Sequence, residues 1–251
     1  MKTHSYVGFL DILGFKDVVS NADHENLLKI YAGLSLYSRM SVSGASPKVI
    51  DEHTIRLGDL ESAEVNTLVI SDSIICWTKD DSRKSFYHII KTARDLLWAG
   101  IQIGLPMRGA LSTGTISVMH ETYKSSMDNS QHTFLGKPIV DAFLKGKKQE
   151  WSGCVIDEKC IEKYNSCKDD GKASNLDDLV ENKLLIRYRV PYKRGSIREE
   201  YAVNWPMGGY EPPSEDFVRK SFSLHKKNSD DWSVERKIQN TIRFLHHALI
   251  H

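Results

Sequence analysis

A nearly continuous apolar segment near the start of the chain has a single acid inside it. Between Tyr6 and Phe15 the only charged residue is Asp11. Such a run is typical of a central β-strand that is buried on both faces. A carboxylate in this position is costly unless it is hydrogen-bonded, paired with a cation or bound to a metal ion. The fold must therefore bring a partner to Asp11.

A second apolar region carries another acid at a predicted turn. Residues 67–77 form two short β-type runs joined by Ser71, Asp72 and Ser73, a composition that favours a tight turn. We predict a hairpin with Asp72 at its tip, lying beside the first strand. The two carboxylates would then converge, and hard divalent cations prefer such ligands. The alternative is that Asp72 is an ordinary turn residue that accepts local hydrogen bonds.

The remaining pattern predicts an α+β fold. Helical spacing indicates a helix over residues 27–37 capped by Asp23, and a second from Asp81 and Ser82 to Gly100. Further predicted elements are two strands within 107–118, a loop over 119–133, a helix over 136–151, strands near 154–156, 184–190 and 201–206, and a final helix from 229. Residues 41–62 are predicted to form a loop or a short excursion. The order βαββαβ, with hairpins as well as helices between strands, indicates one mixed or antiparallel sheet in a single domain spanning 1–251.

Composition excludes several classes of function. The 34 basic and 33 acidic residues give a net charge of +1, which argues against bulk binding of nucleic acid or of an anionic membrane. No apolar run is long enough to cross a bilayer, and the first residues do not resemble a signal peptide. The four cysteines form no Cys-x-x-Cys pair. We therefore expect a soluble cytoplasmic protein that binds neither membranes nor nucleic acid.

Four segments, in order, resemble the class III nucleotide cyclase family. Phe9–Phe15 is similar to the family's first-strand signature Phe-x-Asp-Ile-x-Gly-Phe, and Ser71–Ser73 occupies the position of its Gly-Asp hairpin. Met107–Gly114 resembles the strand that leads into its His-x-Gly, and Gly136–Lys145 resembles its Gly-x-x-Val-Asn-x-Ala-Ala-Arg helix. The resemblance covers about residues 6–157 and implies a ferredoxin-like βαββαβ core there, with a C-terminal strand and helix extension over 158–251.

The resemblance implies roles for individual residues. Asp11 and Asp72 would be catalytic carboxylates that hold two Mn²⁺ or Mg²⁺ ions per site, with the carbonyl of Ile12 as a further ligand. Lys145 would replace the family's transition-state arginine. The substrate-binding positions would be the phosphate-binding amides of Leu13, Gly14 and Phe15, the base-reading positions Leu68 and Thr133, the ribose position Asp141, and Arg108. Arg108 contacts phosphate or forms a structural ion pair. The run from Arg187 to Arg189, with Lys193 and Arg194, is a second candidate phosphate patch or an ordinary solvated strand face.

The departures from the family pattern indicate the substrate. Leu68 and Thr133 stand where adenylyl cyclases have the lysine and aspartate that read adenine. With its short length, the chain is most similar to the pyrimidine cyclases of bacterial Pycsar antiphage systems. That resemblance implies conversion of UTP or CTP to the 3′,5′-cyclic monophosphate, a homodimer with shared active sites, and a separate effector that responds to the product. The alternatives are a cyclase fold that binds a nucleotide or a partner without turnover, and a metal-dependent phosphodiesterase or nuclease.

Overall fold

The computed structural model describes residues 2–42, 47–49, 56–58, 62–124, 128–167, 175–209 and 211–251. The strands are β1 (Lys2–Ile12), β2 (Pro47–Val49), β3 (Arg56–Gly58), β4 (Val65–Ile70), β5 (Ser73–Thr78), β6 (Met107–Lys124), β7 (Asp128–Gly136), β8 (Gly153–Ile156), β9 (Leu185–Pro191) and β10 (Ile197–Val203). The helices are α1 (Phe15–Asn21), α2 (His24–Met40), α3 (Arg83–Gln102), α4 (Lys137–Lys147), α5 (Glu158–Ser166), α6 (Leu176–Glu181), α7 (Glu215–Ser223) and α8 (Trp232–Ile250). None of the helices in these ranges is long and apolar enough to span a membrane.

One large sheet organises the molecule, and β1 lies near its centre. The strand order is β4-β5-β1-β6-β8-β10-β9, and β7 pairs with β6. β1 is antiparallel to β5 and to β6, whereas β6 and β8 are parallel. The sheet is therefore mixed, and the β4–β5 hairpin lies directly beside the first strand. The predicted α+β fold and the predicted neighbourhood of these strands are confirmed.

The two faces of the sheet are covered by different helices. On one face, Tyr6 of β1 packs on Phe86 of α3, with ring centroids 4.9 Å apart, in the larger hydrophobic core. On the other face, Phe9 packs on Phe143 of α4 at 5.2 Å. Since side chains alternate along a strand, Asp11 shares the face of Phe9 and α4. The alternation thus decides which helix lies on the same side of the sheet as the acid.

The predicted starts of the helices agree with the structure better than the predicted ends do. Asp23 caps α2 by accepting from the amide of Asn26 at 2.8 Å, and Ser82 caps α3 by accepting from the amide of Ser85 at 3.2 Å. The prediction that Gly100 ends α3 is wrong, because the helix continues to Gln102. Gly100 is instead needed for close packing, since a Cβ there would lie 2.6 Å from the carbonyl oxygen of Leu105.

Two other stretches differ from their predictions. Residues 107–118 form one strand instead of two, and much of the predicted loop over 119–133 belongs to the β6–β7 hairpin. This arm is polar, so it lacks the apolar alternation that identifies a half-buried strand. Within 41–62, residues 47–49 and 56–58 form a short hairpin, and the others lie partly outside the described residues. Helix α7 was not predicted, although Ser214 caps it by accepting from the amide of Phe217.

Helix α4 lies so close to the sheet that one of its positions has no room for a side chain. A Cβ on Gly146 would lie 3.0 Å from the Cα of Gly109 and 3.2 Å from its carbonyl carbon. Both neighbours are backbone atoms of a central strand, so neither yields easily. Gly33 in α2, by contrast, has nothing within 4 Å of its Cβ position.

These two glycines provide a matched test of the packing of α4. Replacing glycine by alanine within a helix stabilises it by roughly 0.5–1 kcal/mol. We expect Gly33→Ala to raise the free energy of unfolding by about this amount. We expect Gly146→Ala to lower it by roughly 1–3 kcal/mol, because overpacking outweighs the propensity gain. Urea unfolding of both variants measures the difference; equal stabilisation would mean that α4 does not rest on the strand backbone.

Candidate active site

Asp11 has its partner on the neighbouring strand. The β1–β6 register places Asp11 opposite Arg108, and the Arg108 Nε and Nη2 atoms donate to Asp11 Oδ2 at 3.2 and 3.1 Å. Burial raises the pKa of Asp11, the Arg108 guanidinium opposes the rise, and the nearby Asp72 adds to it. The acid that interrupts the apolar strand is therefore compensated within the fold.

Asp72 lies at the tip of the β4–β5 hairpin and faces Asp11. Its carboxylate raises the pKa of Asp11 through its charge and through a side-chain hydrogen bond. Its carbonyl accepts from the amide of Ile12 at 2.8 Å, and its Oδ1 accepts from the Ser73 hydroxyl at 3.2 Å. The Tyr31 hydroxyl donates to the carbonyl of Ser71 at 3.0 Å. The two carboxylates thus converge as predicted, at a turn that is tied to β1 and to α2.

The donor set at this point suits a hard divalent cation. Two adjacent carboxylates and the backbone beside them offer only oxygen ligands, which Mg²⁺ and Mn²⁺ prefer. In the part of the chain that the structure describes, no group of three or more His, Cys, Asp or Glu side chains could hold a metal ion. The remaining ligands of a cation here would have to come from backbone carbonyls such as that of Ile12, from water or from a substrate phosphate.

The turn after β1 only partly matches the predicted phosphate cradle. The Leu13 amide donates to the carbonyl of Pro106 at 2.8 Å, so the prediction that it binds phosphate is wrong for this conformation. Gly14 adopts a left-handed conformation with φ of 74° and is the residue before α1. The amides of Gly14 and Phe15 have no acceptor within the helix that they open. The prediction that the Gly14 and Phe15 amides bind phosphate stays a prediction.

Lys145 and Asp141 lie in a separate pocket of about 730 Å³ between α4 and the β9–β10 hairpin. Basic residues outnumber acids in its lining. The lining residues are Asp141, Leu144, Lys145, Lys148, Asp157, Lys159, Tyr192, Lys193, Arg194, Ser196, Arg198 and Glu200. The structure thus brings the candidate patch of Lys193 and Arg194 together with Lys145, which the sequence did not indicate. Arg198 and Glu200 were missed because charged residues on an alternating strand are typical of an ordinary solvated face.

Lys145 is paired with acids of its own chain. Its Nζ lies 3.0 Å from Glu200 and 3.6 Å from Asp157, and its side chain is only 19% exposed. The hydroxyl of Tyr192 donates to the second oxygen of Glu200. Asp141, the predicted ribose position, pairs with Lys159 at 2.8 Å. The two predicted α4 residues are therefore held by ion pairs, and the excess positive charge of the pocket comes from the residues around them.

A chain of hydrogen bonds connects Arg108, the partner of Asp11, to the C-terminal end of α4. Arg108 Nη1 donates to the carbonyl of Gln149 at 3.3 Å, and the Gln149 side chain donates to the carbonyls of Gly109 at 2.8 Å and Lys145 at 3.3 Å. Burial and the charge of Arg108 lower the pKa of Lys193, while the charges of Glu150 and, to a smaller extent, Asp11 oppose them. Arg108 thus serves as a structural ion pair at the junction of the two regions.

The predicted base-reading positions lie on different strands. Leu68 is opposite Ile75 in the β4–β5 pair, and Thr133 is opposite Met119 in the β6–β7 pair. Phe134, next to Thr133, packs on Trp77 with ring centroids 4.6 Å apart. This contact brings the β6–β7 arm close to β5. The role of Leu68 and Thr133 in reading a base remains a prediction.

Solved structures of nucleotide cyclases share this architecture. A bacterial light-regulated adenylyl cyclase matches with a TM-score of 0.51 at 14% sequence identity, over 90% of this chain and 58% of that chain. The chain has the fold of the class III nucleotide cyclases. It spans little more than half the length of that light-regulated enzyme, and at this identity the likeness concerns the fold alone. No protein-family model matches the chain, and no curated protein matches its sequence.

Two further structures match less closely. They are the guanylate cyclase domain of RhGC from Catenaria anguillulae in complex with GTP and the adenylyl cyclase CyaB from P. aeruginosa. The first has a TM-score of 0.46 at 12% identity, covering 81% of this chain and 97% of that chain. The second has a TM-score of 0.45 at 13% identity, covering 81% and 94%. Both scores lie below 0.5, so the assignment of the fold depends on the light-regulated enzyme.

Removal of Arg108 tests whether it compensates Asp11. We expect Arg108→Met to lower the free energy of unfolding at pH 7 by about 1–3 kcal/mol, because it leaves the Asp11 charge beside Asp72. Adding Asp11→Asn should restore most of the loss, whereas exposed Arg189→Met should change stability by less than about 0.5 kcal/mol. Since the penalty requires ionised Asp11, it should shrink as the pH falls through the raised pKa of that residue. A double variant as unstable as Arg108→Met alone would disprove the pairing role.

Proposed function

We propose that this protein is a nucleotide cyclase that converts a pyrimidine nucleoside triphosphate, UTP or CTP, to the 3′,5′-cyclic monophosphate and pyrophosphate. The observation that carries the proposal is the convergence of Asp11 and Asp72, from a central strand and the adjacent hairpin, in a cyclase fold. The two carboxylates lie side by side at the end of an apolar strand, and a divalent cation between them would relieve the effect of the Asp72 charge on Asp11.

The reaction is an in-line displacement at phosphorus. The ribose 3′-oxygen bonds to the α-phosphorus and loses its proton, and the bond from that phosphorus to the bridging oxygen breaks, so that pyrophosphate leaves with the electron pair. Two Mn²⁺ or Mg²⁺ ions, held by Asp11, Asp72 and the Ile12 carbonyl, would lower the pKa of the hydroxyl and neutralise the phosphates. In this proposal the amides of Gly14 and Phe15 donate to the phosphate oxygens beside them.

The second half of the site is proposed to come from another copy of the chain. On α4, Val140 and Leu144 are 53% and 48% exposed, and Leu135 just before the helix is 50% exposed. Large apolar side chains exposed together favour a protein interface. A two-fold dimer through this face would contribute Lys145 and Asp141 of one protomer to the carboxylates of the other. The basic residues around Lys145 would then meet the triphosphate.

The pyrimidine preference rests on the residue types at the base-reading positions. Leu68 offers no charge, and Thr133 offers one hydroxyl that donates and accepts. This pair cannot reproduce the lysine and aspartate that read adenine in adenylyl cyclases. In this proposal the cyclic product is a cytoplasmic second messenger of antiphage defence, recognised by a separate effector.

A second function is favoured by the ion pairs of Lys145. Because Glu200 and Asp157 offset its charge, Lys145 is a weaker cation for a transition state than an arginine fork would be. A chain with this feature could bind a nucleoside triphosphate without turning it over. Fold alone does not decide between the two functions.

An assay with four substrates separates these functions. We expect incubation with Mn²⁺ and each ribonucleoside triphosphate to give a 3′,5′-cyclic product and pyrophosphate from UTP or CTP. Asp72→Asn should reduce the rate at least about 100-fold by removing a carboxylate from the metal-binding pair, whereas exposed Asp177→Asn should leave it unchanged. A nucleoside monophosphate product would indicate a phosphodiesterase. Binding of a triphosphate without any product would indicate the function without turnover. Full activity of Asp72→Asn would show that Asp72 is only a turn residue.

Mixing two inactive variants tests the shared site. Asp11→Ala and Lys145→Ala chains should each be inactive alone, because each lacks one half of both sites in its dimer. An equal mixture should recover about a quarter of the wild-type rate, since half of the dimers are mixed and each has one intact site. The rate of cyclic product formation after co-refolding measures this recovery. A mixture that stays inactive while forming mixed dimers would refute the shared arrangement.

A further inference from the structure

Lys227 is a buried lysine in the segment that joins α7 to α8. The residue is only 6% exposed, and its ammonium nitrogen donates to the carbonyls of Gly104 at 2.7 Å and Ser221 at 2.9 Å. Burial lowers the pKa of Lys227 to about 7, and the charge of Asp17 opposes this effect. Lysines are almost never fully buried without a partner, so an ordinary core position would hold an apolar residue instead.

The aliphatic stem of Lys227 covers the turn that follows the Asp11 strand. A Cβ on Gly14 would lie 2.9 Å from Lys227 Cδ and 3.5 Å from its Cγ. The lysine therefore packs directly on the glycine, with no room for a side chain between them. On the preceding residue, the Leu13 amide is bonded to Pro106. The turn is thus fixed by a backbone hydrogen bond at Leu13 and by the lysine stem at Gly14.

The backbone before Lys227 is strained, which indicates that its position is enforced. His225 and Lys226 both have left-handed conformations, with φ of 61° and 57°. Each such residue other than glycine costs about 1–2 kcal/mol, and the conformation persists only where the surroundings impose it. Here the His225 ring bonds the Ile103 carbonyl at 2.7 Å, and the Asn21 side chain donates to the Lys226 carbonyl at 2.8 Å.

The residue after Lys227 is anchored as well. The amide of Asn228 donates to the carboxylate of Asp17 in α1 at 3.1 Å. The segment 225–228 is therefore attached to α1 on both sides of the lysine and to the end of α3 through its ring and ammonium contacts. A packing role alone would be served by methionine, which has a similar stem and no charge to bury. The ammonium contacts fix where the stem lies.

We propose that Lys227 is a positioning residue for the active site: it holds the Gly14 turn, and with it the backbone from Asp11 to Phe15, in the conformation that receives the triphosphate. The proposal builds on the proposed function for its effect on substrate, but the positioning itself is a property of the free protein. If Lys227 holds this turn, the C-terminal extension helps to shape the active site, although Asp11 and Asp72 themselves lie outside the extension.

Hydrogen–deuterium exchange of the free protein tests the positioning directly. Lys227→Met keeps a stem but loses both carbonyl contacts. We expect peptides covering residues 12–17 to exchange about tenfold faster in Lys227→Met, with β6 and α8 peptides unchanged. Lys226→Met, an exposed neighbour with the same change, should exchange like the wild type. Unchanged exchange at 12–17, or equal acceleration throughout the chain, would overturn the proposal.

Steady-state kinetics give the second measurement. We expect Lys227→Met to raise KM for the triphosphate about tenfold with kcat within about twofold, because the turn binds substrate and transition state alike. A loss of kcat at constant KM would indicate only a smaller folded fraction and would contradict the positioning role. If the wild type turns over no triphosphate, the proposed function fails, and exchange at 12–17 alone decides whether Lys227 holds the turn.

Discussion

The acidic side chain of Asp11 on an otherwise apolar central strand is the constraint on which the rest of the structure depends. An acid in that position requires compensation, and Arg108 supplies it from the adjacent strand β6. On the other side, the β4–β5 hairpin brings a second acid, Asp72, whose charge makes Asp11 harder to ionise. The strand order, which places β6 and its Arg108 beside β1, therefore allows Asp11 to occupy this position.

Much of this arrangement could be predicted from the sequence because local and global signals agree there. The apolar run around Asp11 identifies a central strand, and the Ser-Asp-Ser turn identifies a hairpin whose only compact place is beside it. Asp23 and Ser82 mark helix starts for the same local reason. The long β6–β7 arm escaped prediction, because its sequence is polar and its strands are stabilised mainly by pairing with each other.

The unpredicted parts of the site come from residues distant in sequence. Nothing near Lys145 shows that Glu200, on β10, will pair with it, and no motif marks Lys227, whose packing on Gly14 spans more than two hundred residues. At Leu13, by contrast, a motif predicted a role for a group that is already used. Its position in a family-like motif suggested a phosphate donor, but a hydrogen bond to Pro106 already uses it. Motifs predict residue positions better than they predict which groups remain available.

The contact between Gly146 and Gly109 has a consequence for how the site could change shape. Backbone touches backbone there, so α4 cannot slide or tilt against the sheet without opening a gap in a close-packed layer. Lys145, one residue earlier on that helix, has a long side chain that moves independently of the helix. Any adjustment of the basic pocket toward a bound anion would therefore take the form of exchanged ion pairs, with Lys145 leaving Glu200 while the scaffold stays rigid.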